Sequence, residues 1–473
     1  MSDFINKESL IKNREDIEIV SPLNGEVIGK VSTMSKEEVD EAVKKANDTF
    51  HKWKDVPLNE RAEMLYKTAA LLEEQVERLA ELLVLEVGKD KKSAHSEITR
   101  TADFIRFTAD TAKSIHGESI QGDTFSGFNK EKFAMVTREP VGVVLAISPF
   151  NYPINLASSK IAPALVSGNT VIFKPATIGS LCGTELVKIF LEAGIPEGAL
   201  NLVTGKGGEI GDYVVTHPGI NFINFTGSTE VGLNISKKAH MVPLLMELGG
   251  KDAAIVLKDA NLPFAAKNIV AGAFSYSGQR CTAVKRILVL NEVADELIKY
   301  IKEEMDKLLV GNPLDKQVDV VPLINDKAAD FVWELMEDAK VKGAKLLVGG
   351  KREGNLIYPT LFDNVTTDMR VAWEEPFGPV LPILRVNSIE EAIELANRSE
   401  YGLQSSVFTE NLSDAFHVAN KLEVGTVQVN NKTERGPDHF PFLGVKKSGI
   451  GTQGIRYSIE AMTRVKATVI NLH

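Results

Sequence analysis

The chain has 473 residues, which by length alone corresponds to about three average domains. It is 44% hydrophobic and 25% charged, with 36 Gly and 19 Pro, so collagen-like, low-complexity and wholly disordered classes are excluded. Asp and Glu number 64 against 54 Lys and Arg, and a formal net charge of −10 argues against general binding of nucleic acid or anionic membrane.

The N-terminal MSDFINKESLIKNRED carries charges where a signal peptide needs an apolar stretch. A helix is expected over 35–48, with Ser35 as N-cap and acidic residues in its first turn. Helical period continues over 59–87 and 94–115, and the Gly- and Ser-rich stretch 116–132 reads as an excursion. The uncharged run 140–159 is long enough to span a bilayer. It contains Pro149, Asn151, Tyr152, Pro153 and Asn155, which break a helix and carry polar groups, so a membrane span is rejected.

From Val136 onward, β-branched runs alternate with amphipathic helices. Strands over 141–147, 170–173, 200–203 and 221–225 each lead into a turn and a helix: 155–164, 180–193, from Glu209, and through Ala239. This alternation predicts a doubly wound α/β domain. A second α/β series starts at 253–257, with helices over 262–275, 293–309 and 327–342 and strands over 286–290, 382–386 and 426–429. The terminal run RVKATVI, 464–470, alternates like a strand with no neighbour nearby in sequence, which suits pairing with a distant segment or another subunit.

No Walker A, HExxH or GxSxG pattern occurs. The two cysteines, Cys182 and Cys281, form neither a disulfide framework nor a CxxC pair, and no metal site is expected. A soluble, cytoplasmic, reduced protein follows. The Gly-rich turns GKGGEIG, containing Gly207, and GSTEVG, containing Gly227 and Ser228, each follow a strand. Either could hold a pyrophosphate on backbone N–H groups, or be a plain strand–helix turn. Cys182 lies on an apolar helix face and reads as structural. Cys281, in YSGQRCTAVKR, has polar neighbours, and Arg280 beside it should favour the nucleophilic thiolate. Glu247, in MELGGK, is either a general base with a pKa raised by Leu244, Leu245, Met246 and Leu248, or a salt-bridged carboxylate near a turn.

MELGGKDAAIVL followed by GQRCTA, together with SPFNYP, FKPA, FTGSTEVG, EEPFGPVLP and PFLGVKKSGIG in that order, resembles the aldehyde dehydrogenase superfamily. The resemblance implies an α/β fold with a Rossmann-type coenzyme-binding domain over 1–118 and 138–249 and an α/β catalytic domain over 250–449. A small β oligomerisation element over 119–137 and 456–473 completes it, in a homotetramer built as a dimer of dimers. Cys281 corresponds to the nucleophile, Asn151 and the Cys281 backbone N–H to the oxyanion donors, and Glu247 to the base that activates water. Lys174, Gly207, Gly227, Ser228, Glu375 and Phe377 correspond to cofactor contacts.

Two departures refine this. The superfamily commonly has an acidic residue three positions after the FKP lysine; Thr177 stands there and favours the 2′-phosphate of NADP. Arg100, Arg280 and Arg435 gather near the implied substrate path with Tyr152 and Thr282. An unpaired basic cluster at a catalytic mouth calls for an anionic substrate. The competing readings are an i,i+3 pair of Arg100 with Glu97, and an Arg435 balanced on the surface by Glu434 or Asp438. The whole pattern resembles a branch that oxidises D-glyceraldehyde 3-phosphate to 3-phosphoglycerate with NADP and without inorganic phosphate. Its rivals are a semialdehyde dehydrogenase acting on a carboxylated aldehyde, a CoA-acylating relative, and an inactive structural homologue.

Overall fold

The structure is a computed structural model that describes residues 16–472; residues 1–15, which carry nearly all of the sequence argument on a signal peptide, and 473 lie outside the described residues. Ser35 opens the helix Lys36–Trp53 through a reciprocal capping box, its hydroxyl accepting from Glu38 N and the Glu38 carboxylate accepting from Ser35 N. The single helical run expected over 59–87 is two helices, Leu58–Glu74 and Val76–Val87, separated at Gln75. The buried apolar period (Leu65, Ala69, Leu72, Leu79, Leu83) runs through the break undisturbed, so periodicity could not reveal it. Asp90 then caps the long helix Lys91–Ser114, accepting from Ser93 N at 2.8 Å.

The doubly wound expectation holds in a six-stranded sheet. Its parallel core runs, in spatial order, Leu244–Glu247, Phe222–Thr226, Val143–Ile147, Thr170–Lys174 and Leu200–Leu202, with Gly449–Ile450 antiparallel at one edge. Strands covered on both faces read as continuous apolar runs, and Phe222–Thr226 is buried throughout. Chain order reverses between Val143–Ile147 and Phe222–Thr226. In open α/β sheets ligands bind beyond the carboxyl ends of strands at such a switch point. The two loops that leave it carry Asn151 and Gly227–Ser228. The helix expected from Glu209 is a π-turn at Gly207–Gly211 and a short helix Asp212–Val215.

A second, seven-stranded sheet orders Lys345–Val348, Thr360–Asp363, Val380–Val386, Arg286–Leu290, Ala253–Val256, Gln404–Phe408 and Thr426–Val429, parallel except for its first pair. The C-terminal strand Thr463–Asn471 finds its partner in Lys132–Pro140, in unbroken antiparallel register, and Glu118–Gln121 makes a third strand. Both α/β sheets have apolar clusters packed against them. Among the described residues no helix is long and apolar enough to cross a membrane.

Candidate active site

Cys281 follows the helix Leu262–Phe274 through a contorted segment. Tyr276 and Ser277 have φ of 51° and 55°, and Gly278 follows at 70°. Left-handed backbone at non-glycine residues is strained and persists only where surroundings hold it. Here Tyr276 Oη donates to Val87 O at 2.8 Å, and Ser277 Oγ exchanges bonds with Val321 O and N at 2.7 and 2.8 Å. A Cβ on Gly278 would sit 2.6 Å from Gly378 O, so only glycine fits. The segment is thereby aimed at the switch-point loop, where Asn151 Nδ2 donates to Gln279 O at 2.9 Å. One amide proton of Asn151 remains for an oxyanion.

The thiolate expectation is corrected. Burial, with the carboxylates of Glu247, Glu375 and Asp252, pushes the Cys281 thiol up to about 12, and Lys285 offsets this only in part. Arg280 turns away and donates to Gly272 O. At neutral pH the free protein therefore holds a neutral thiol. Iodoacetamide labelling of Cys281 in the cofactor-free protein is expected to accelerate about tenfold per pH unit through pH 9; a plateau near pH 8 would contradict this.

Glu247 closes the strand Leu244–Glu247, and its surroundings combine both sequence readings. Its side chain is only 3% exposed, yet it meets Arg435 Nη1 at 2.7 Å and accepts from Thr226 Oγ1 at 2.9 Å. Thr226 Oγ1 in turn accepts from Lys160 Nζ at 2.6 Å. Burial holds Lys160 down to about 8 despite the pull of Glu247. A carboxylate, a hydroxyl and an ammonium thus form one buried hydrogen-bonded chain beside Cys281. Sequence reasoning missed Lys160 and Thr226. The available signal was a charged residue inside the otherwise apolar ASSKIAPALV, on a helix that proves buried along its length.

The basic cluster forms, but the expectation that it is unpaired is corrected. Arg100 makes a two-pronged contact with Asp438 at 2.7 Å and donates to Arg435 O, rather than pairing with Glu97. Glu97 is taken by Lys89. Arg435 lies between Glu247, Asp438 at 3.6 Å and Gln453 Oε1 at 2.9 Å, and is half-buried rather than a free surface loop charge. A local pattern cannot foresee these pairs, because the partners come from distant segments. Donor capacity remains: among the described residues Arg435 Nε, Arg280 Nε and Gln453 Nε2 are buried without a hydrogen-bond partner. Thr282 O accepts from Thr433 Oγ1 at 2.9 Å, tying the nucleophile loop to the arginine loop. The Tyr152 ring lies under Lys89 Nζ, 3.6 Å from its centroid.

The candidate cofactor residues line the same switch point. A Cβ on Gly227 would meet the Phe225 ring at 2.5 Å, and those on Gly207, Gly208 and Gly211 would meet nothing within 4 Å. Tight backbone beside open space is what a phosphate cradle needs. Ser228 caps the helix Thr229–Lys238, accepting from Val231 N at 3.3 Å. Lys174 Nζ is held by Gly205 O at 3.0 Å, and burial lowers it to about 8. Thr177 is half-buried three residues on. On the opposite wall Glu375 accepts from Gly250 N and meets Lys285 Nζ, both at 3.2 Å. Phe377, at φ 46°, packs edge-on to Phe150. These features fit a dinucleotide.

Comparison with known proteins agrees with this geometry. The sequence matches the aldehyde dehydrogenase family over residues 10–468. It is 56% identical over 470 residues to the NADP-dependent glyceraldehyde-3-phosphate dehydrogenase of Streptococcus equinus, covering 99% of this chain and 98% of that one. It is 49% identical to the enzyme of the same name from Pisum sativum, covering 97% and 92%. The crystal structure of NADP-dependent glyceraldehyde-3-phosphate dehydrogenase from Bacillus halodurans, complexed with NADP, superposes with a TM-score of 0.96 at 56% identity, covering 97% of this chain and 96% of that one. Over nearly its whole length, therefore, the chain belongs to the aldehyde dehydrogenase family.

Proposed function

We propose that the protein oxidises D-glyceraldehyde 3-phosphate to 3-phosphoglycerate with NADP, using water rather than inorganic phosphate. The observation that carries this reading is the convergence of Cys281, Asn151 and Glu247 with the guanidiniums of Arg435 and Arg100 at one buried mouth. The relatives that act on this substrate are similar along their full length, which supports it.

Cys281 Sγ adds to the aldehyde carbon as its thiol proton passes to solvent, and the oxygen that gains charge is met by Asn151 Nδ2 and the Cys281 backbone N–H. The chemistry that NADP supplies when bound is acceptance of a hydride, which leaves a thioester on Cys281. Glu247 takes a proton from water, whose oxygen attacks the thioester carbon and frees the cysteine sulfur. Thr226, which accepts from Lys160, donates to Glu247 and holds the carboxylate in place for this step. Arg100, Arg280, Arg435, Tyr152 and Thr282 surround the substrate phosphate. Arg435 must loosen its hold on Glu247 or Asp438 to do so, and its Nε, which faces Asp438 at 3.6 Å without a hydrogen bond, is the weakest of these holds.

Lys174 and Thr177 meet the adenosine ribose and its 2′-phosphate, Gly207, Gly227 and Ser228 the pyrophosphate, and Glu375 and Phe377 the nicotinamide end. An incoming phosphate would favour the charged form of a lysine that burial has brought down to about 8. Thr177→Glu is expected to raise the NAD over NADP ratio of kcat/KM by at least tenfold; an unchanged ratio would remove Thr177 from cofactor choice.

The reading divides the chain into coenzyme-binding (1–118 and 138–249), catalytic (250–449) and oligomerisation (119–137 and 456–473) parts. It makes the protein a cytoplasmic homotetramer, since Cys281 must stay reduced. Ile120, Phe125, Met135, Val465 and Val469 are exposed on or beside the three-stranded sheet, which supports burial by another subunit. Rates on phosphorylated, carboxylated and neutral aldehydes, with each cofactor and with and without phosphate, test the whole reading. Strict dependence on added phosphate or preference for a carboxylated aldehyde would overturn it.

A further inference from the structure

Directly behind the switch-point loop lies a buried charge pair that the mechanism leaves without a role. Lys89 and Glu97 are both fully buried at the side chain, and their ammonium and carboxylate are in contact. A buried pair is a weak source of stability, because desolvation offsets most of its attraction. Its geometry is more informative. Glu97 Oε1 accepts from the backbone N–H of both Ile154 and Asn155, each at 3.0 Å. These are orphan donors at the start of the helix Asn155–Val166, whose own N-cap residue provides no side-chain cap. Thr101, one turn on from Glu97, accepts from Asn155 Nδ2 at 3.2 Å and extends the grip. The carboxylate therefore fixes where the loop bearing Asn151 ends and where the helix bearing Lys160 begins.

The other half of the pair reaches the nucleophile side. Lys89 Nζ lies 3.6 Å from the Tyr152 ring centroid and 4.7 Å from that of Tyr276, and the two rings pack edge to face. Tyr276 is the strained residue that starts the turn into Cys281. Asn151 joins the two sides through its bond to Gln279 O. One buried ion pair thus touches both strands of the oxyanion site, from behind and without reaching the substrate.

We propose that Glu97, held by Lys89, is a positioning residue that acts on acylation through Asn151. The proposal rests on the reading of Asn151 as an oxyanion donor. Glu97→Gln keeps an acceptor of the same shape and removes the charge that holds it. Single-turnover formation of NADPH from D-glyceraldehyde 3-phosphate is measured for Glu97→Gln in the natural background and in an Asn151→Ala background. The expected result is a loss of about tenfold in the first, with KM within twofold, and less than twofold in the second, because the group through which Glu97 works is then gone. Equal losses in both backgrounds, or no loss in the first, would overturn the proposal and leave a packing role. If Glu97→Gln does not fold, Lys89→Met combined with Glu97→Gln removes both charges together and serves the same comparison. An Asn151→Ala variant that acylates at the unaltered rate would instead refute the oxyanion reading itself.

Discussion

A Glu247→Gln variant is expected to release one equivalent of NADPH per active site and then stall. Addition to the aldehyde and hydride loss need Cys281 and Asn151, which this change leaves in place. Thioester hydrolysis needs a base, and a positioned general base contributes about 10²- to 10⁴-fold. Steady-state turnover should fall by a factor in that range while the burst amplitude stays near one. Glutamine retains an acceptor for Thr226 but loses the ion pair to Arg435, so a modest fall in thermal stability accompanies the kinetic change. Full steady-state turnover in this variant would take Glu247 out of hydrolysis. A missing burst would move its role to an earlier step.

The second large effect separates the two arginines. Arg435 is 11% exposed and holds Glu247, whereas Arg100 is 38% exposed and pairs only with Asp438 among the described carboxylates. Arg100→Leu should remove charge-assisted bonds to the substrate phosphate together with its contacts to Asp438 and Arg435 O, but not the bond between Arg435 and Glu247. At about 1.5–3 kcal/mol for such bonds, kcat/KM should fall roughly 10- to 150-fold for the phosphorylated aldehyde. It should barely change for D-glyceraldehyde, which lacks the phosphate. Arg435→Leu should cost more and on both substrates, because it also leaves Glu247 buried beside an apolar group. Breaking one partner of a buried pair costs about 3–5 kcal/mol of stability, so the melting temperature should fall further in this variant than in Arg100→Leu. If the two variants lose equally on D-glyceraldehyde, the Arg435–Glu247 contact has no bearing on the chemistry.

Much of the architecture is legible in the chain because it follows from local periods. Runs such as Phe222–Thr226 and Val143–Ile147 are apolar enough to demand cover on both faces, and the cap at Ser35 marks a helix start. The break at Gln75 was not legible, because two helices that share one apolar phase look like one. The terminal strand Thr463–Asn471 was visible as a strand, but its partner lies more than 300 residues away in the chain, where no local pattern reaches.

The site divides in the same way. Sequence by itself singled out the groups proposed to carry the chemistry: Cys281, Glu247, Asn151, the Gly-rich turns, and the arginines that imply an anion. Those are matters of residue type and order, and order is what a family resemblance records. Only the tertiary structure decided the electrostatic state of these groups. Arg280 stands next to Cys281 in sequence yet bonds to Gly272 O, while the thiol responds to Glu247, Glu375 and Asp252, which arrive from two other segments. Arg435 and Glu247 are 188 positions apart and in contact. Charge acts through space and through the solvent that folding removes, and neither quantity is written in the spacing of residues along a chain.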